Sequence, residues 1–107
     1  MDTRKTTDRR GYSRQKVLDL LVERRDELRE LSVSSLALFG SVARDKATPE
    51  SDLDVLVEFS GPATFDRYMD LKFYLEDLLG IPVDLVTRKA LKPQLVPVIE
   101  KELLHVS

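Results

Sequence analysis

Two apolar runs of this chain have aspartates set into them, and a third ends in Gly-Ser. Leu38-Phe39-Gly40-Ser41-Val42-Ala43-Arg44-Asp45 is followed about ten residues later by Ser51-Asp52-Leu53-Asp54-Val55-Leu56-Val57. A further run, Ile81-Pro82-Val83-Asp84-Leu85-Val86, carries one more carboxylate. Aspartate is depleted in strands, and a buried carboxylate is costly unless it is paired or bound to a metal. Three of them in strand-like segments, beside a turn able to receive phosphate, point to metal-dependent chemistry at phosphorus.

The order of elements follows from spacing. Ser13 is a plausible N-cap, and Val17, Leu18, Leu21, Leu28 and Leu31 recur at helical spacing, which predicts one amphipathic helix from Arg14 to about Leu31. Val33 to Phe39 reads as a first strand stopped by Gly40, followed by a short helical turn from Ser41 to about Lys46 and a loop through Pro49. Leu53 to Phe59 reads as a second strand. Leu53, Val55 and Val57 face one side and Leu56 the other, so it is expected at the centre of a sheet. After the break at Ser60-Gly61-Pro62, a helix is predicted from about Thr64 to Leu79, with Tyr68, Leu71, Leu75 and Leu78 as its stripe and Gly80 as its stop. Val83 to Val86 is a third strand, and the spacing of Leu95, Ile99 and Leu103 predicts a final helix to about Leu104 with Pro97 in its first turn. The order α-β-β-α-β-α describes an α/β (α+β) domain, a small mixed sheet with helices packed on it.

Composition narrows the class. The 107 residues suit one domain with one core, and 42% hydrophobic with 34% charged residues is ordinary for a soluble globular chain. No apolar run is long enough to span a bilayer, and the first ten residues lack the apolar core of a secretory signal. A chain without cysteine has no disulfide, thiolate zinc site or Cys nucleophile, and a cytoplasmic location is the default. The net charge of -2 hides an asymmetry: residues 1–16 hold six Lys/Arg against Asp2 and Asp8, a net of +4, leaving -6 for the rest. We therefore read residues 1–12 as a flexible basic tail and 13–107 as the folded domain. The acidic body excludes a general nucleic-acid binder.

Asp52 and Asp54 are two apart and point to the same side of a strand. If the first two strands pair antiparallel, Gly40-Ser41 and Asp52-x-Asp54 meet at one end of the sheet, and a third strand alongside brings Asp84 to the same corner. Carboxylates gathered there need cations, and hard oxygen ligands suit Mg²⁺ or Mn²⁺. Two such ions can clamp the attacking and leaving oxygens of an in-line displacement at phosphorus. Gly40 lets backbone approach a triphosphate, Ser41 offers a hydroxyl and N–H groups, and Arg44 can pair with phosphate. Each piece alone is common in turns and caps; their order and spacing make a site. Elsewhere, His105 reads as surface, Phe39 as core, and Tyr68 as part of a helix stripe. Tyr68 or Tyr74 could also serve at a partner surface.

Gly40-Ser41-x-Ala43-Arg44 followed by Ser51-Asp52-x-Asp54 resembles the signature of the polymerase-β-like nucleotidyltransferase superfamily, and more narrowly the minimal nucleotidyltransferase (MNT) proteins of prokaryotes. The likeness runs from the helix before Gly40 to the helix after Asp84. It implies that Gly40 and Ser41 hold the β- and γ-phosphates of ATP. It implies that Asp52 and Asp54 ligate both metals, and that Asp84 ligates the catalytic metal and helps deprotonate the acceptor hydroxyl. Asp45 stands where the MNT pattern usually has Gly. MNT proteins typically pair with a small helical HEPN-domain toxin with RNase activity. The resemblance therefore implies an antitoxin that transfers AMP to a tyrosine of such a toxin. A transferase for a small molecule, and a binder that neutralises its partner by contact alone, are the alternatives.

Overall fold

The computed structural model describes residues 13–43 and 52–106. The proposed basic tail, Arg44, Asp45, Ser51 and the loop between them lie outside the described residues. Ser13 caps the first helix as expected, accepting the Lys16 N–H at 3.2 Å. In place of one long helix there are two, α1 (Arg14–Glu23) and α2 (Arg25–Glu30), with Arg24 between them at φ -105°, ψ 18°. The break falls in the one turn that supplies no core residue: Val17 and Leu21 are buried before it and Leu28 after it. The Arg24 N–H tightens onto Leu21 O and Val22 O.

Strand β1 spans Val33–Phe39, and the short helical turn α3 spans Gly40–Ala43. Strand β2 spans Leu53–Phe59. Helix α4 runs Phe65–Leu79, with Thr64 accepting the Arg67 N–H and Gly80 closing it at φ 73°. Strand β3 spans Val83–Thr87. The segment expected as a final helix is 3-10 turns at Arg88–Ala90 and Pro93–Leu95, the short helix α5 (Val96–Glu100), and a fourth strand β4 (Leu104–His105). The expected helix to Leu104 is thus corrected: chain pairing with β1 overrides a helical period carried by only three residues. His105, on β4, is exposed as expected.

The sheet order is β3-β2-β1-β4. β1 pairs antiparallel with both β2 and β4, while β2 and β3 are parallel, so the sheet is mixed. β2 is central and buried on both faces: Leu53, Val55 and Val57 are 0% exposed and Leu56 only 2%. One face of the sheet, through Leu36, Leu38, Val55, Val57, Val83 and Leu85, packs on Val17, Leu21 and Leu28 of α1–α2 and on Leu71, Leu75 and Leu79 of α4. Each fully buried leucine contributes about 1.5–3 kcal/mol. Helix α4 also shields the exposed edge of β3. Tyr68, Lys72 and Glu76, four apart on one helix face, reach it: the Tyr68 hydroxyl donates to Leu85 O at 2.7 Å, Lys72 donates to Val83 O, and Glu76 accepts the Val83 N–H at 2.9 Å. Those bonds occupy main-chain groups that an edge strand would otherwise offer to another chain. Among the described residues, no helix is long and apolar enough to cross a membrane.

Candidate active site

The opposite face of the sheet carries the candidate site residues. Along β2 the side chains alternate, so Asp54, Leu56 and Glu58 turn away from the helices that cover Val55 and Val57. The register sets Phe39 of β1 beside Asp54, and Asp54 beside Asp84 of β3. Both conditions drawn from the sequence hold: β1 and β2 are antiparallel, and β3 lies alongside β2. Asp54 is half-buried; Asp84 and Asp52 are exposed, Asp84 on the edge strand and Asp52 just before β2. Phe39 is half-buried rather than in the core cluster.

Gly40 turns the chain out of β1 at φ 78°, in the left-handed region. A Cβ on this residue would overlap the Asp54 carboxylate, with Cγ only 2.9 Å away. Glycine is required twice over here: for the backbone angle and because Asp54 nests against its Cα. The helical turn begun by Gly40 is held from outside at both ends. The Gly40 N–H donates to Glu102 Oε1 at 2.9 Å, and Arg14 Nη1 of α1 donates to Ala43 O at 3.3 Å.

The donor set is hard oxygen, the kind that suits Mg²⁺ or Mn²⁺. Asp54 and Asp84 are brought together by register, with Asp52 two residues before Asp54. Among the described residues, no three acidic or imidazole side chains form a ready-made metal cage. Carboxylates of like charge keep apart by repulsion, and a divalent cation supplies what draws them in. Arg44 lies outside the described residues.

Off this face, Tyr74 and Glu76 are shifted away from their ordinary values. Tyr74 is pushed up to about 12 by burial, helped by the hydrogen bond its hydroxyl donates to Glu27. That bond commits its hydroxyl within the chain. Glu76 is held below the ordinary carboxylate value by the Val83 N–H it accepts, with Lys72 contributing.

The family model described as a nucleotidyltransferase domain matches residues 21–106. The chain belongs to the nucleotidyltransferase family. Membership makes it a nucleotidyltransferase enzyme. It is 42% identical over 92 residues to a candidate protein adenylyltransferase of Methanocaldococcus jannaschii, covering 84% of this chain and 94% of that one. It is 34% identical over 93 residues to the protein adenylyltransferase MntA of Thermococcus cleftensis, covering 86% and 94%. Among solved structures, a candidate minimal nucleotidyltransferase superposes with a TM-score of 0.76 at 31% identity, covering 87% of this chain and 95% of that one. A toxin-antitoxin complex with AMP-PNP shares the fold with a TM-score of 0.66 at 20% identity, covering 90% and 73%. So does the complex of a tri-AMPylated Shewanella oneidensis HEPN toxin with its MNT antitoxin, at 0.61 and 19%, covering 84% and 71%.

The nucleotidyltransferase signature was legible in Gly40, Ser41, Asp52 and Asp54. Glu102 was not, because it stands 62 residues from Gly40 and meets it only through the pairing of β4 with β1.

Proposed function

We propose that this nucleotidyltransferase transfers AMP from ATP to a tyrosine hydroxyl of a HEPN-family RNase toxin, as the antitoxin of that pair in the cytoplasm. The observation that carries the reading is the placement of Asp54 beside Asp84 on adjacent strands, with the Gly40 turn folded against Asp54. The names of the relatives support AMP transfer to protein, and the HEPN toxin complex that shares the fold supports the partner class.

The residues divide the work. Gly40 and Ser41 receive the β- and γ-phosphates, and Arg44 pairs with a phosphate oxygen. Asp52, Asp54 and Asp84 would hold the two Mg²⁺ ions, which would supply charge neutralisation for displacement at phosphorus. Asp84 accepts the phenolic proton as the tyrosine oxygen attacks the α-phosphorus. The new bond is from tyrosine oxygen to phosphorus. The bond from the α-phosphorus to the bridging oxygen breaks, and pyrophosphate leaves with that electron pair. The products are O-adenylyl tyrosine and pyrophosphate.

The test is incubation with ATP labelled at the α-phosphate, Mg²⁺ and a HEPN-family toxin encoded in the same genome. Label on a tyrosine of that protein is expected, and none with Asp52→Ala/Asp54→Ala. The double variant should still bind the HEPN protein but fail to rescue cells expressing it. Full rescue at equal expression would overturn catalysis in favour of neutralisation by contact.

A further inference from the structure

The β1–β4 ladder stops one step short of the active-site turn, and a side chain completes it. Ala37 stands opposite His105 and Leu38 opposite Leu104, and the Val106 N–H donates to Leu36 O at 2.8 Å. In this antiparallel register the even residues of β1 turn their main-chain groups toward β4. Continued by two residues, the register sets Gly40 opposite Glu102. The Gly40 N–H accordingly points sideways, toward the edge strand. It finds the carboxylate of Glu102, half-buried, in place of a main-chain carbonyl.

We propose that Glu102 is a positioning residue for nucleotide binding: it anchors the Gly40 turn from the edge of the sheet and so sets the distance between the phosphate-holding residues and Asp54. The inference rests on the nucleotidyl-transfer reading of the site. Three observations carry it. The bond is charge-assisted, the stronger kind. Its donor belongs to the residue whose Cα packs on the Asp54 carboxylate, so movement of one moves the other. Arg14 grips the opposite end of the same four-residue turn through Ala43 O, which leaves the turn fixed at both termini by oppositely charged side chains. Glu102 is not a catalytic residue in this account. It acts on the nucleotide through Gly40.

The role depends on reach and on an acceptor oxygen, not on charge alone. Glu102→Gln keeps both, Glu102→Asp keeps the charge but shortens the arm, and Glu102→Ala removes everything. Calorimetric binding of Mg²⁺·AMP-PNP and amide hydrogen exchange at Gly40 are measured for each. We expect Glu102→Ala and Glu102→Asp to bind about tenfold more weakly, as loss of one such bond implies, with faster exchange at Gly40. Glu102→Gln, which keeps the reach and the acceptor but loses the charge, should fall between, roughly three- to fivefold weaker than wild type. Should Glu102→Ala not fold, the contrast between Gln and Asp decides alone. Wild-type affinity in Glu102→Asp, or a Gln variant as weak as the Asp variant, would overturn the proposal. Wild-type protein that binds no nucleotide at all would instead sink the transfer reading, and Gly40 exchange would still decide whether Glu102 holds the turn.

Discussion

Two side-chain pairs toward opposite ends of one face of β2 are built differently, one across β2 and β3 and the other between β2 and the 3-10 turn that follows β3. Asp54 of β2 stands beside Asp84 of β3, like charge against like. Four residues on, the register that ends at Val57 and Thr87 leads to Glu58 and Arg88, which form an ion pair at 2.9 Å. Arg88 also holds Glu100, the last residue of α5, at 3.3 Å, and Ser35 of β1 leans on Glu58. At this end Arg88 is the cation that Glu58 meets. Like charges set directly opposite each other weaken a sheet, while opposite charges strengthen it. The fold shows at Glu58–Arg88 how it neutralises a carboxylate when structure is the purpose. The Asp54–Asp84 pair sets two carboxylates side by side on adjacent strands, the arrangement expected where a metal ion and a triphosphate would be held.

The largest effect should come from making the Asp54–Asp84 pair resemble Glu58–Arg88. Asp84→Lys places an opposite charge beside Asp54. We expect the fold to gain roughly 0.2–1 kcal/mol while nucleotidyl transfer falls by at least about 10²–10³-fold, the scale of losing one preorganised electrostatic contact. Mg²⁺ with AMP-PNP should raise the Tm of wild type and leave this variant unmoved. Retained transfer, or an undiminished Mg²⁺-dependent shift, would show that Asp84 has no part in the site.

The second prediction concerns the turn that serves only the site end. Gly40→Ala puts a methyl where the Asp54 carboxylate rests and asks an L-residue to hold φ 78°. The backbone alone costs about 1–2 kcal/mol, and displacement of Asp54 adds to the loss of activity. Chemical denaturation and nucleotide titration measure the two parts. If Gly40→Ala bound nucleotide as wild type does, the nesting of Asp54 would be incidental.

How much of this was open to a reader of the sequence varies along the chain. β1, β2 and α4 were legible because strand alternation, the Thr64 cap and the Gly80 stop are local signals with local causes. The Asp54–Asp84 neighbourhood was legible only as a condition, since register depends on which strands pair and in which direction. The break at Arg24 was hidden because both halves keep the same apolar period. β4 was hidden for a different reason: two residues carry no periodicity, and Leu103-Leu104 fits a helix as well as a strand. With β4 went Glu102, whose meeting with Gly40 exists only in the assembled sheet.

The structural pair yields a smaller effect. Arg88→Ala leaves Glu58 and Glu100 without their shared cation, in a partly exposed setting. A loss of about 0.5–1 kcal/mol is expected, read as a fall of several degrees in Tm for a domain of this size. Nucleotide affinity should be unchanged, because the loss sits at the far end of the strands. A variant that lost nucleotide binding without losing stability would mean that the two ends of this face are not separable.

The smallest effect comes from a third carboxylate, one satisfied by backbone rather than by a cation alone. Glu76 accepts the Val83 N–H at 2.9 Å and meets Lys72 at 3.2 Å, and these contacts hold its pKa below the ordinary 4.5. The folded pKa lies below the unfolded one, so the native state binds fewer protons than the unfolded chain. The stabilisation is therefore complete above pH 4.5 and fades as pH falls through the lower folded value. Glu76→Gln removes that charge. At neutral pH it should unfold more easily by a few tenths of a kcal/mol, roughly the scale of an i,i+4 pair, and the gap to wild type should close as the solution is acidified below 4.5. Urea midpoints at neutral pH and at successively lower values test the sign. A gap that widened on acidification would mean that Glu76 is held protonated in the fold, and that it does not work as the ion-paired Glu58 does.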